Sequence, residues 1–177
     1  TKEISPFIED WYENSHFPLE IVKKMGDTGI FGPNVDQRYG GGGMDNISYG
    51  LIMQELERGD SGMRSTASVQ SSLVMYPIEA YGSEEQKKKY LPKLASGEIL
   101  GCFGLTEPDF GSNPGGMITK LEDHGDYYLL NGSKMWISNS PIADIAVVWA
   151  KDENKRIKGV IVEKGMEGFS APKTEGK

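Results

Sequence analysis

A chain of 177 residues with a formal net charge of −7 can bury one core or two small ones. It carries no basic cluster of the kind a nucleic-acid footprint needs, and no apolar run long enough to cross a bilayer as a helix. A single cysteine, Cys102, excludes an internal disulfide and a Cys-rich metal site, and His16 and His124 stand far apart in the chain, so no metal is expected. The first residues lack a signal-peptide pattern, and a soluble protein of a reducing compartment is expected.

The first hundred residues read as helices. Ile4, Phe7, Ile8 and Trp11 already sit at helical spacing, as though the chain entered in the middle of a helix. Pro18 suits a first helical turn, and Leu19, Val22 and Met25 then recur until Gly26. Tyr39-Gly40-Gly41-Gly42-Gly43 cannot be regular structure and is expected as a mobile or close-packed loop. Asp45 or Asn46 can cap a helix whose buried side would be Ile47, Leu51, Ile52 and Leu56. After Asp60-Ser61-Gly62, the run from Arg64 to Val74 is rich in Ser and Ala, which permit close helix contacts. Ser83-Glu84-Glu85-Gln86 has the form of a capping box, and its helix should stop near Pro92. Lys87-Lys88-Lys89 on that helix follows Glu84 and Glu85 and reads as a solvated face.

From Ile99 the period changes to that of strands. Tyr127–Leu130, Asn131-Gly132 and Ser133–Ser138 form the strongest hairpin signal. Asp144–Ala150 and Lys158–Lys164 are two further apolar, β-branched segments, separated by a charged turn from Asp152 to Lys155. Helices followed by strands predict an α+β chain: an all-helical domain over residues 1–97, then a mostly antiparallel β-domain over 98–177 with about five strands. The sheet reads as unfinished, with a solvated tail from Ser170 to Lys177.

Two segments stand out, although each read alone is only turn chemistry next to a strand. In Gly101-Cys102-Phe103-Gly104-Leu105-Thr106-Glu107-Pro108-Asp109-Phe110-Gly111-Ser112-Asn113 a strand breaks into a loop that presents Thr106, Gly111 and Ser112. In Asn131-Gly132-Ser133-Lys134-Met135-Trp136-Ile137-Ser138-Asn139 a tight turn leads to an aromatic two positions before a hydroxyl. By residue type alone, Phe103 and Leu105 suit a core strand, Gly111-Ser112 a plain turn and Trp136 a core tryptophan. Arg64 by the same measure suits a surface arginine.

The order, spacing and identity of these segments resemble the flavin-holding elements of the acyl-CoA dehydrogenase family. Glu55-Leu56-Glu57-Arg58, Ser68-Val69-Gln70-Ser71-Ser72-Leu73-Val74-Met75, Tyr81-Gly82-Ser83-Glu84-Glu85-Gln86, Asn139-Ser140-Pro141 with Ala143-Asp144, and Glu163-Lys164-Gly165-Met166 resemble its glutaryl-CoA dehydrogenase branch. The resemblance implies an N-terminal helical domain, a middle β-domain and a C-terminal helical domain that this chain does not supply. The general-base glutamate belongs to that last part, so no catalytic residue is assigned here.

The resemblance further implies that FAD is held by Phe103, Leu105, Thr106, Gly111, Ser112, Trp136, Ile137 and Ser138. Ser112 would serve the pyrophosphate and lie near the acyl-CoA, and the Ser138 hydroxyl would meet the reactive N5 region. Asn113 and Ser138 stand where the family commonly has Asp and Thr. Glu57, Arg64 and Ser65 match the branch's site for the distal carboxylate of glutaryl-CoA, with a guanidinium able to hold it by two parallel hydrogen bonds. The implied reaction is α,β-dehydrogenation of an acyl-CoA thioester, with decarboxylation to crotonyl-CoA in the usual glutaryl case and electrons passing to an electron-transferring flavoprotein. A homotetramer is implied for the full-length protein, in the cytoplasm of a bacterium or the mitochondrial matrix of a eukaryote. Two other readings remain open at this stage: a dehydrogenase of another acidic or aromatic acyl-CoA, and a non-catalytic flavin or acyl-CoA binding module.

Overall fold

Side-chain caps at Asp45, Asp60 and Ser83 set where three of the helices of this chain begin. The structure, a computed structural model, describes residues 3–174. They divide between two compact units, the first ending at Leu100 and the second beginning at Gly101. In the first, Ile4 and Phe7 close a turn before α1 (Ile8–Glu13), so the expected early helix starts later than its spacing suggested. Thr1 and Lys2 lie outside the described residues. Pro18 stands just before α2 (Leu19–Asp27), whose buried residues are Ile21, Val22 and Met25; Leu19 is exposed instead.

The glycine run is close-packed. Gly43 and Met44 donate backbone bonds to the carbonyls of Val35 and Pro33, and a Cβ on Gly41 would lie 2.2 Å from the Val35 oxygen. Asp45 caps α3 (Asn46–Gly59) by accepting from the Ser48 N–H at 2.8 Å. The buried face of α3 differs from expectation. Met53 is its buried residue, whereas Ile47 and Leu51 are exposed, and Leu51, Ile52 and Leu56 line an apolar groove with Ile30. Periodicity identifies an apolar stripe but not what covers it, and no described residue covers the outer part of this one.

Asp60 caps α4 (Ser61–Ser68) through the Met63 N–H, and the helical path continues through a π-helical stretch, Val69–Met75, into α5 (Tyr76–Tyr81). Pro77 has no N–H for the carbonyl one turn back, and a widened turn ahead of it relieves the clash. Gln70, fully buried in that stretch, donates to the carbonyls of Leu94 and Ile99 at 2.9 Å each. Both halves of the Ser83/Gln86 capping box form and open α6 (Glu84–Ala95). Pro92 lies inside α6 and does not end it. Its missing N–H falls opposite the carbonyl of Lys88, an exposed residue, while Leu91 and Leu94 on the buried side carry the helix on. Each of these two leucines is worth about 2–5 kcal/mol against alanine.

The second unit is a five-stranded mixed sheet. Its strands are β1 (Gly101–Gly104), β2 (Lys120–Asp123), β3 (Tyr128–Asn131), β4 (Ile145–Lys151) and β5 (Ile157–Glu163). The β4–β5 and β2–β3 ladders are antiparallel, while β1 pairs parallel with β4 and β2 meets its last residue, Lys120 opposite Lys151. Since β5 runs along one edge of β4, β1 and β2 share the other. Cys102, Ala143, Ala146, Val148 and Val162 form the core on one face, with Leu130, Ile137, Val160 and Phe169 packed against it.

The expected hairpin partner is corrected. β3 pairs with β2, and the turn lies at His124–Tyr127, where Asp123 accepts from the Gly125 N–H. Residues 133–138 form no strand. Their path leaves the sheet at Gly132, where a Cβ would lie 2.4 Å from the Thr119 hydroxyl, and then turns through Trp136 at φ 61° and Asn139 at φ 67°. Of the expected tail, residues 175–177 lie outside the described residues.

Candidate functional site

Where β1 ends, its continuation and the irregular segment 132–138 run together. Thr106 accepts from the Met135 N–H at 2.9 Å, and Leu105 accepts from the Lys134 ammonium at 3.1 Å. Glu107 and Phe110 exchange backbone hydrogen bonds of 3.2 Å, closing a turn that leads out to Gly111 and Ser112. Thus Leu105, Thr106, Trp136 and their neighbours, expected together, are brought together. Gly111 and Ser112 are exposed, and the space beside Gly111 is open.

Phe103 lies half-buried on β1 with its ring edge-on to Trp149 at 5.9 Å. Trp136, expected by residue type alone as core, is 61% exposed, while Ile137 packs inward and Ser138 faces out. Among the described residues, the backbone N–H groups of Thr106 and Ser138 find no acceptor in the chain. An exposed flat ring, three hydroxyls (Thr106, Ser112, Ser138) and unspent backbone donors fit a planar, polar-edged cofactor with phosphates.

One residue here escaped the sequence reading. Glu107 is 2% exposed, and its carboxylate accepts from the N–H groups of Ile118 (2.7 Å) and Thr119 (3.0 Å), from the Thr119 hydroxyl and from Lys134 Nζ (2.8 Å). Burial disfavours the charge, but these donors outweigh it and hold the Glu107 pKa down at about 2. A depressed folded-state pKa stabilises the fold above the ordinary glutamate range, and that stability is lost as pH falls from about 4.5 towards 2. No local pattern announces such a residue, because its partners lie 11 to 27 positions away in sequence.

The expected substrate residues lie in the helical unit, at the elbow between α3 and α4. Arg64 Nε donates to Glu57 at 2.6 Å, the Ser61 hydroxyl donates to the other Glu57 oxygen at 2.7 Å, and Arg64 Nη1 reaches Ser68 Oγ at 3.5 Å. The Arg64 and Ser61 bonds lower the Glu57 pKa. The guanidinium is one-third exposed, and its Nη2 edge still carries donors for an incoming carboxylate. Ser65 follows on α4, half-buried, with its carbonyl accepting from the Ser68 hydroxyl at 3.1 Å. Among the described residues no cluster of His, Cys, Asp and Glu could hold a metal, and no helix is long and apolar enough to cross a membrane.

Sequence models of the acyl-CoA dehydrogenase N-terminal domain and middle domain match residues 1–98 and 102–177. The chain is 45% identical to a glutaryl-CoA dehydrogenase of Desulfococcus multivorans over 152 residues, 84% of this chain and 39% of the relative. It is 42% identical to a short-chain-specific acyl-CoA dehydrogenase of Clostridium acetobutylicum, over 99% of this chain and 47% of that protein. A crystal structure of a Mycobacterium smegmatis glutaryl-CoA dehydrogenase in complex with FADH2 superposes with a TM-score of 0.93 at 49% identity, covering 96% of this chain and 44% of that one. The chain thus spans less than half the length of these relatives.

Proposed function

Because this chain belongs to the acyl-CoA dehydrogenase family, we propose that the protein to which it contributes oxidises an acyl-CoA thioester at its α,β bond with FAD, and that the substrate is glutaryl-CoA. FAD, when bound, supplies the acceptor for the β-hydride. Thr106, Ser112 and Ser138 would hold it by hydroxyl and backbone donors, Gly111 would let phosphate oxygens approach, and Phe103, Leu105, Trp136 and Ile137 would supply its apolar surroundings. Trp136, exposed and flat, would exclude water from the cofactor face it covers. The base that removes the α-proton is expected outside these residues.

The observation that carries the substrate reading is the Glu57–Ser61–Arg64 constellation. Two hydrogen bonds to Glu57 hold one side of the network, so the guanidinium is oriented before it meets a second carboxylate. A dicarboxylic acyl chain satisfies it, and a monocarboxylic one such as butyryl leaves it without that partner. Decarboxylation to crotonyl-CoA, transfer of electrons to an electron-transferring flavoprotein and assembly as a homotetramer belong to the same proposal.

The test is anaerobic titration of the full-length protein, purified with FAD, against glutaryl-, butyryl- and aromatic succinyl-CoA, following loss of flavin absorbance. Bleaching first and fastest by glutaryl-CoA is the expected result. Absence of a flavin chromophore would refute the cofactor, and faster bleaching by butyryl-CoA would refute the substrate.

A further inference from the structure

We propose that Glu107 and Lys134 form a positioning clamp, which fixes the Thr106 loop and the Trp136–Ser138 segment against each other and so shapes the cofactor site before any ligand arrives; this rests on the flavin reading above. The pair is secluded, with side-chain exposures of 1% for Glu107 and 9% for Lys134. Glu107 gathers three stretches of chain: its own loop after β1, Ile118-Thr119 leading into β2, and Lys134 in the segment after β3. Thr119 extends the network to the end of β4, where its carbonyl accepts from the Lys151 N–H at 2.9 Å.

The segment that carries Trp136, Ile137 and Ser138 is seated on the core by Ile137 and tied to the loop through Lys134 and Met135. Residues 133–138 join no ladder, and two bonds tie the segment to the loop, from Lys134 Nζ to the Leu105 carbonyl and from the Met135 N–H to the Thr106 carbonyl. The lysine stem crosses β1 where there is no side chain, since a Cβ on Gly104 would lie 3.3 Å from Lys134 Cγ. Lys134 therefore reaches the carboxylate beneath the loop that Trp136 flanks. A fold needing only bulk at this place would be served by apolar residues, because two buried charges cost desolvation that packing does not. What an ion pair with five directed hydrogen bonds adds is one fixed geometry, and here the residues so fixed are those assigned to the cofactor.

The experiment uses the full-length protein labelled with 5-fluorotryptophan, as apoprotein and with FAD, comparing wild type with Lys134→Met and with the milder Thr119→Val. In the apoprotein the fluorine resonance of Trp136 should shift or broaden in Lys134→Met, and that of Trp11 should stay in place. The FAD dissociation constant should rise at least about 10-fold in Lys134→Met and about 3-fold in Thr119→Val. If Lys134→Met does not fold, Thr119→Val carries the test. A lower melting temperature with an unmoved Trp136 resonance and unchanged FAD affinity would reduce the pair to ordinary stabilisation and overturn the proposal. Wild-type protein that takes up no FAD would overturn the flavin reading, and the apoprotein resonance then decides by itself whether the clamp positions the segment.

Discussion

Two ion pairs of similar length stand in opposite surroundings in this molecule. Glu57 and Arg64 meet at 2.6 Å on the helical unit with side chains 48% and 34% exposed; Glu107 and Lys134 meet at 2.8 Å in the β unit at 1% and 9%. Distance does not separate them, and burial does. Water screens the first pair, so its net contribution to the fold is small, and one edge of the guanidinium stays open to solvent. The second pair lies out of water, where removing one partner strands a charge. On the proposed reading the arginine keeps Glu57 and adds a second carboxylate at its open edge, whereas the buried pair has no room for another partner.

Breaking the buried pair from one side should have the largest effect on stability. Glu107→Ala leaves Lys134 buried without its carboxylate and is expected to cost about 3–5 kcal/mol of unfolding free energy, read by urea denaturation. A loss no larger than that of a typical surface substitution would erase the distinction between the two pairs.

Acid should reveal the same difference without a mutation. The folded-state pKa of about 2 against an ordinary value of 4.5 corresponds to about 3 kcal/mol, present above pH 4.5 and lost as pH falls towards 2. Denaturation curves taken from pH 5 to pH 2 should show this slope in the wild type and a shallower one in Glu107→Gln.

Gly132→Ala sharpens the comparison by touching neither charge. The new methyl would lie 2.4 Å from the Thr119 hydroxyl that donates to Glu107, and displacing that donor should cost about 1–3 kcal/mol in thermal unfolding. Smallest of all, Glu57→Ala should leave the melting temperature nearly unchanged, because its pair is open to solvent. A large drop there would place Glu57 among the structural residues.

What could be read from sequence was mostly local. Asp45 and the Ser83/Gln86 box act within one helical turn, and the Ile145–Lys151 and Ile157–Glu163 strands carry their apolar pattern in their own residues. The segment after Asn131-Gly132 misled because a turn dipeptide followed by apolar residues has the same appearance whether or not a strand follows. Its course depends on contact between Gly132 and Thr119, which lies outside any short window. The α3 stripe failed similarly, since Ile47 and Leu51 are apolar at helical spacing and nevertheless exposed. In the site, Thr106 and Trp136 could be named from their motifs, whereas Glu107 drew no notice between them. Its importance comes from Ile118, Thr119 and Lys134, which only the folded chain brings to it.

The proposed pairing of Arg64 with a distal carboxylate is the centre of the functional account, and one substitution tests it directly. Full-length wild type and Arg64→Ala, both loaded with FAD, would be reduced anaerobically by glutaryl-CoA and by butyryl-CoA, with the rate of flavin bleaching measured for each. The expected result is a loss of roughly 100-fold with glutaryl-CoA and less than about 3-fold with butyryl-CoA, since only the diacid loses a charge-assisted partner. Equal losses on both substrates would contradict it and make Arg64 a structural residue.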